Sequence, residues 1–332
     1  MTNLIVGSVN APVGTRVRGV IPVTNLPGGR PLEIPIVVIN GAYPGPCVWV
    51  DAVIHGDEPE GTLACHLVDA VLDPTSLHGS VILVPVLNVP AYEAAQRGNP
   101  LDTFSYDLNR IYPGKVDGYL TERLAYAHSV WLREVATYEI SIHSGGAHSY
   151  LSETIFATTD NKAIELAQAM GKDWSLILKS FLPKGSPPAV MFEAGKQGIT
   201  VELGGRPATS PSDFFRCGRV LADGILNVLR YYGMIEGEPT VADRWLTGVQ
   251  HALLAPVSGL FLAETSLGFQ KPMNKGDVIA RIVSVYGDVL VELHAPTDGM
   301  IFGLRALPNV QTGEWCCFYA EIQGELPKAT RA

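Results

Sequence analysis

Residues 47–61 read Cys-Val-Trp-Val-Asp-Ala-Val-Ile-His-Gly-Asp-Glu-Pro-Glu-Gly. The run 48–54 has the apolar, β-branched texture of a buried strand. It leads straight into His55, and Glu58 follows three residues later. Pro59 opens an amphipathic stretch, 61–72, expected to be a helix, because proline suits the first helical turn, where a missing N–H costs nothing. A histidine and a carboxylate on the turn after a strand can face one point above the sheet edge. Neutral imidazole and carboxylate together suit Zn²⁺, which in catalytic sites takes three protein ligands and leaves one position open. Two ligands are too few, so the rest of the chain must supply a third.

The chain has 332 residues, more than one average domain, and a large domain with a smaller one is expected. With 47% hydrophobic and 17% charged residues it has ample material for a core. Its net charge of −9 argues against a nucleic-acid surface, which would be basic, and gives no reason to expect binding to anionic membranes. Residues 1–13 lack a basic flank followed by an apolar core, so no secretory signal is expected there. No apolar run approaches the ~20 residues that span a bilayer. Five cysteines, Cys47, Cys65, Cys217, Cys316 and Cys317, are scattered without metal-ligand spacing. They read as buried free thiols of a cytoplasmic protein.

Around the opening stretch the chain alternates strands and helices. Runs 16–23 and 32–38 are β-rich and separated by the Leu26-Pro27-Gly28-Gly29 turn. After 61–72 come an apolar run at 80–87 ending at Asn88, a short helix at 91–97 and an ordered loop at 98–114. A helix capped by Thr121 is expected to reach about 135, and a strand at 138–143 is stopped by Ser144-Gly145-Gly146. Asn161 is expected to cap a helix through Met170, and a short strand at 199–203 is closed by Gly204-Gly205. Ser210 or Ser212 then starts a helix to about 232. This alternation implies a mostly parallel sheet covered on both faces. Ligands bind outside the carboxyl ends of such strands. His55, Asn88, His143 and Glu202 all lie at or near strand ends.

From about 236 the texture changes to short β-rich segments, 253–263, 278–286, 289–295 and 300–304. An Ala-Pro-x-x-Gly-apolar pattern occurs twice, at 255–260 and 295–300, suggesting a small barrel or sandwich with internal pseudo-symmetry. It resembles the barrel-sandwich fold of biotinyl and lipoyl carrier domains. A carrier needs a lysine at the hairpin tip, and Ser284-Val285-Tyr286-Gly287-Asp288 has none. The module therefore reads as structural, as a lid, or as a subunit interface of a homo-oligomer.

Of the other histidines, His66 falls mid-helix, His78 and His128 are expected to be exposed, His148 is on a loop, and His251 and His294 belong to the small module. His143 stands at a strand end before a Gly-Gly turn, as His55 does, and is the candidate third ligand. Glu202 is a carboxylate in an otherwise apolar strand, expensive to bury without a partner. It either pairs with a positive residue or faces the metal site as a general base, for which a raised pKa is an advantage. In the glycine-rich loop, Asp107-Leu108-Asn109-Arg110 follows Arg97. Guanidinium groups match carboxylates bidentately and can stabilise a developing oxyanion, although an exposed loop arginine can also be merely solvated. Asp107 could accept the second N–H of a zinc-bound histidine.

These segments resemble the succinylglutamate desuccinylase/aspartoacylase family, zinc amidohydrolases related to the zinc carboxypeptidases. The resemblance rests on His55-Gly56-Asp57-Glu58, Asp107-Leu108-Asn109-Arg110, Ser141-Ile142-His143-Ser144-Gly145-Gly146 and Val201-Glu202-Leu203-Gly204-Gly205, in that order. It covers roughly residues 30–235, and the trailing β-module is also similar to that family's C-terminal domain. It implies an α/β fold with a zinc-carboxypeptidase-like mixed, mostly parallel sheet flanked by helices over 1–235. A small all-β, barrel-sandwich-like domain would occupy 236–332.

The resemblance further implies one zinc per chain held by His55, Glu58 and His143, with Glu202 as general base and acid. Asn109 and Arg110 would bind the substrate carboxylate, and Arg97 would stabilise the oxyanion. The implied activity is hydrolysis of an N-acyl amino acid. One departure is Ser141, where many members carry Asp two residues before the third ligand. The Ser-Ile-His-Ser version is similar to the carboxypeptidases, so a peptidase acting on short peptides is the alternative, and a zinc-binding module without activity is a third. The acyl group is not legible; Gln96, Lys184, Arg206 and the loop after His143 are the candidates for shaping its pocket.

Overall fold

Trp49, in the middle of the opening stretch, is fully buried, and its neighbours Val48 and Val50 are equally so. A strand with no exposed face belongs in the interior of a covered sheet. A computed structural model of the chain places it there and describes residues 2–179, 184–206, 209–264 and 266–328. The chain opens with β1 (Leu4–Val6), β2 (Val9–Ala11), β3 (Thr15–Asn25) and β4 (Pro31–Asn40). Then come β5 (Tyr43–Ala52), α1 (Glu60–Val71), β6 (His78–Val84), α2 (Val89–Glu93), α3 (Leu120–Val135) and β7 (Tyr138–His143). The middle adds β8 (Ser149–Ala157), α4 (Asn161–Ala169), β9 (Leu176–Lys179), α5 (Pro187–Glu193), β10 (Gln197–Gly204) and α6 (Pro211–Tyr231). Next are β11 (Trp245–Leu254), β12 (Gly259–Ala263), β13 (Pro272–Met273), β14 (Val278–Val283) and β15 (Val289–His294). The last are β16 (Gly299–Arg305), β17 (Asn309–Val310) and β18 (Trp315–Leu326).

Twelve strands form one sheet in the order β13-β16-β18-β11-β9-β8-β10-β7-β5-β6-β4-β3. Parallel pairing joins β6 to β5, β5 to β7 and β7 to β10, and again β8 to β9 and β9 to β11. The other neighbours are antiparallel, so the sheet is mixed rather than mostly parallel. Parallel neighbours need a long crossover, whereas β3 and β4 are joined by a short turn; the antiparallel pairs β11–β18 and β13–β16 join strands distant in sequence. The two faces alternate along β5, with Val48, Val50 and Ala52 packing under α1, α4 and α6. Cys47 and Trp49 pack on the side of α3 and α5.

Strands β8 and β9, unforeseen in the sequence, tie the C-terminal segment to the central sheet. β16 pairs with β8 as well as with β18, and the circuit β8-β9-β11-β18-β16 closes into a small barrel. The change of texture at 236 follows α6, but β11, β16 and β18 continue the same sheet. The remaining C-terminal strands form a second sheet, β15-β14-β12-β17. The repeated Ala-Pro-x-x-Gly pattern marks equivalent places, with Ala255 and Ala295 both buried and Gly259 and Gly299 starting β12 and β16. At the hairpin tip Val285 and Tyr286 are exposed.

Local differences from expectation have simple causes. Tyr119, not Thr121, is the N-cap of α3; Thr121 lies in its first turn and donates its backbone N–H to Asp102 at 2.8 Å. Asp160, not Asn161, caps α4, accepting from the backbone of Lys162 and Ala163. Pro59 stands at the N-cap of α1 rather than inside it. No helix among the described residues is long and apolar enough to cross a membrane.

His128 is fully buried, not exposed. It accepts a hydrogen bond from Trp49 Nε1 at 3.0 Å, and its Nδ1 lies 3.0 Å from the Tyr112 hydroxyl. Alongside, Ser141 Oγ donates to Asp51 Oδ1 at 2.8 Å, while Asp51 Oδ2 and both oxygens of the equally buried Glu139 have no hydrogen-bond partner among the described residues. Burial pushes the Asp51 carboxyl up to about 7. Burial, and then the neighbouring Asp51 charge, push Glu139 well above the carboxylate range. His128 faces Asp51 at 3.9 Å but offers no compensating charge, because burial drives its own pKa down to about 3.

Both carboxyl pKa values are raised on folding, so the stability of this cluster is complete below the unfolded-state values and declines as pH rises toward 7 and beyond. Glu139→Gln removes one of the two groups that must be kept neutral. We expect it to flatten the fall of melting temperature between pH 5 and pH 8 and to raise the pH 8 value by several degrees, at about 2–4 °C per kcal/mol. Thermal unfolding across a pH series measures this; a variant with the wild-type slope rejects it.

Candidate active site

The end of β5 is built to turn sharply. Val53 has φ 60°, a strained value for a β-branched residue. It is held by Asn88, whose backbone N–H donates to Val53 O at 2.9 Å while its side-chain amide donates to Ile54 O at 3.0 Å. Gly56 lies so close to α2 that an added Cβ would sit 2.0 Å from the Ala91 carbonyl carbon, so only glycine fits. This turn carries His55 and Glu58 to the rim, where β7 ends at His143 and β10 carries Glu202 directly opposite His143 in register.

His55, Glu58 and His143 converge, and all three are buried. Glu58 lies between the two rings, with Oε1 2.8 Å from His55 Nδ1 and Oε2 3.0 Å from His143 Nδ1. The two Nδ1 atoms are 3.3 Å apart, and one ligand atom from each residue falls within 4.8 Å of the others. A tetrahedral ion with bonds to nitrogen of about 2.0–2.1 Å has ligand–ligand edges of roughly 3.3 Å. On the far side of His55, Nε2 is 3.2 Å from Asp107 Oδ1. With that nitrogen donating its proton to Asp107, the Nδ1 lone pair is left pointing at His143 and Glu58. Two facing lone pairs and a carboxylate are a donor set that fits a divalent cation.

Charges around this centre are specific. Burial lowers the pKa of His143 and keeps it neutral, whereas His55 is raised against its burial by Glu58 and Asp107. Burial also works against ionised Asp107, but its hydrogen bond to His55 and the charges of His55, Arg97 and Arg110 outweigh it and hold it well below the usual range. Arg97 is clamped by Asp107 Oδ2, with Nε at 3.3 Å and Nη2 at 3.2 Å, and its Nη1 lies 3.6 Å from Glu58 Oε1. It is therefore not a solvated loop arginine. Asp107 also accepts the backbone N–H of Asn109 at 2.9 Å, fixing the short 3₁₀ turn that carries Asn109 and Arg110.

Glu202 is half-buried, and its Oε2 is a buried atom without a hydrogen-bond partner among the described residues. Burial, and next the Glu58 charge, raise its pKa well above the usual value, with Arg97 opposing. Among the described residues it pairs with no cation at hydrogen-bond distance, so a structural ion pair there has no support. His55, Glu58, His143, Glu202, Arg97, Asn109 and Arg110 all line one cavity of about 280 Å³. Gly145 lines it too, whereas Gln96, Lys184 and Arg206 do not.

Two positioning residues lie outside the expected set. Glu60 accepts from Ser144 Oγ at 2.9 Å and from the Gly205 backbone at 2.8 Å, tying the loop after His143 to the turn after Glu202. Gly205 has φ 123°, and its Cβ would strike Ser149 O. Asp57 accepts the Ala147 N–H at 2.8 Å. The signal was present in the sequence, in the three carboxylates of His-Gly-Asp-Glu-Pro-Glu, but only Glu58 has ligand spacing. Ser141, the visible departure, points to Asp51 and is not in the cavity lining.

Known proteins resemble this chain in sequence and in fold. The family model for the succinylglutamate desuccinylase/aspartoacylase catalytic domain matches residues 44–232. The chain is 28% identical over 306 residues to the N-alpha-acetyl-L-2,4-diaminobutyric acid deacetylase of Halomonas elongata, covering 88% of this chain and 87% of that one. A succinylglutamate desuccinylase structure from Silicibacter sp. TM1040 superposes with a TM-score of 0.82 at 25% identity, over 97% of this chain and 100% of the other. The apo structure of the ectoine utilization protein EutE (DoeB) from Ruegeria pomeroyi gives 0.78 at 25% identity, over 96% and 99%.

Proposed function

The chain belongs to the succinylglutamate desuccinylase/aspartoacylase family, and from that premise we propose that it is a zinc-dependent deacylase of N-acyl amino acids. The observation that carries this reading is the convergence of His55, Glu58 and His143 in one cavity with Glu202, rimmed by Asn109 and Arg110. His55, Glu58 and His143 would hold one zinc ion. When bound, zinc supplies a Lewis acid for the scissile carbonyl and brings the pKa of a water toward ~7.

The protein's own groups do the rest. Arg110, with Asn109, takes the substrate carboxylate and so converts binding into orientation. Glu202, ionised, removes a proton as the water oxygen bonds to the carbonyl carbon. It then delivers that proton to the amide nitrogen as the C–N bond breaks, leaving a carboxylic acid and a free amine. Its burial raises its proton affinity, which suits a group that must both take and give a proton near neutral pH. Arg97 is held by Asp107 with its guanidinium beside Glu58, where it can stabilise charge growing on the carbonyl oxygen. Five free, buried cysteines are consistent with a cytoplasmic setting.

Metal analysis followed by a panel scored for amine release tests this reading. The expected result is one zinc per chain and turnover of N-acyl amino acids, reduced about 10–10²-fold when the carboxylate is esterified, as befits loss of a charged hydrogen-bonding partner. Preference for short peptides in the same panel would establish the peptidase instead. Absence of metal after growth in zinc-replete medium would leave a binding module.

A further inference from the structure

The cavity has two chemically distinct ends. Along the sheet the order is β5, β7, β10, β8, with β16 then closing onto β8. Arg97, Asn109 and Arg110 reach the centre through Asp107 and His55, on the β5 side. Glu202 follows on β10, and beyond it the wall belongs to the small barrel. There Leu151 and Phe156 from β8, Phe302 from β16, and Trp315 and Phe318 from β18 line the same cavity. The rings form a continuous row: Phe156 to Phe302 at 6.0 Å between centroids, Phe302 to Phe318 at 5.9 Å, and Phe318 to Trp315 at 4.8 Å. Leu151, Phe302 and Phe318 are buried in the barrel's core, so this wall is rigid, and Trp315, 45% exposed, is its outer end.

Among the described lining residues the only carboxylates are Glu58 and Glu202, and the only cations besides the two histidines are Arg97 and Arg110. A carboxylate lodged against the aromatic row would lose water, face the negative faces of the rings and meet no cation among the described residues of that wall, a heavy penalty. A hydrocarbon group there gains burial and ring contact. Resting on the deacylase reading, we propose that the preferred substrate is an N-acyl amino acid bearing a bulky apolar group on the side of the scissile amide away from Asn109 and Arg110. The aromatic row Phe156–Phe302–Phe318–Trp315 selects it.

Two substrate series on the zinc-loaded enzyme locate the apolar group. One lengthens the acyl chain from acetyl to hexanoyl and benzoyl on a single amino acid; the other keeps N-acetyl and runs from alanine to leucine and phenylalanine. We expect kcat/KM to rise roughly 10²-fold along the acyl series and to change little along the other, since each well-packed methylene discriminates by about tenfold or more. N-succinyl substrates, with a second carboxylate, should stay at the low end. Trp315→Ala, at a half-exposed position, should compress that preference about tenfold. A flat response in the acyl series, or an N-succinyl substrate ranking first, overturns the proposal. If no N-acyl amino acid is turned over at all, the deacylase reading itself fails. Calorimetric binding of the same compounds to Glu202→Gln then decides the pocket's preference: tighter binding of the bulky apolar members sustains it, and equal or absent binding rejects it.

Discussion

Glu202→Gln should retain zinc and substrate binding while losing amide hydrolysis by about 10²–10⁴ in kcat, the range over which a positioned acid–base group contributes. Glutamine keeps the shape of glutamate but cannot accept the water's proton or hand it to the departing nitrogen. The substitution is gentle on the fold, because Glu202 is half-buried, its Oε2 has no hydrogen-bond partner among the described residues, and burial already works against its charge. The melting temperature should therefore hold or rise. Metal content, KM and thermal unfolding measured beside kcat separate a chemical role from a structural one. Turnover at the wild-type rate would exclude Glu202 as the base, and a parallel loss of zinc would show that it acts through the ligands instead.

The parts of this site that the sequence made legible are those whose geometry is local. His55 and Glu58 share one turn, and His143 ends a strand whose bounds, Tyr138–His143, the apolar pattern marks without error. Glu202 stands out because a carboxylate is rare in a strand such as Gln197–Gly204. Asp107 was inferable as a partner for a histidine, though not as the shared hinge of His55, Arg97 and the Asn109 backbone.

What stayed hidden depends on pairing between distant segments. Leu151 meets Gly303 across the β8–β16 junction, and nothing local to either strand encodes that partnership. The aromatic wall of the cavity, and with it the role of the C-terminal strands, was therefore invisible. His128 misled for a related reason: in a helix of mixed polarity an imidazole reads as surface, until Trp49 and Tyr112 supply its partners from β5 and the preceding loop.

Removing the cation from the candidate metal site, or one of its ligands, should have an equally large effect. Glu58 is the hub, since each of its oxygens reaches a different imidazole. Without a cation, His55 and His143 present nitrogens 3.3 Å apart around a buried carboxylate, an arrangement that costs stability unless protons or a metal fill it. A ligand that binds only the folded state stabilises it by RT ln(1 + [L]/Kd), about 4 kcal/mol at a thousandfold excess over Kd. Chelation should accordingly lower the melting temperature of the wild-type protein by several degrees, and stoichiometric zinc should restore it. His143→Ala removes one of three ligands from a site with none to spare. It should bind zinc far more weakly, lose activity to near background, and show no shift in melting temperature on adding chelator. The comparison is internal, because any general destabilisation from the substitution appears with and without chelator alike. If His143→Ala instead retained one zinc per chain with the wild-type chelator response, the ion would be held elsewhere, and the convergence of His55, Glu58 and His143 would need another explanation.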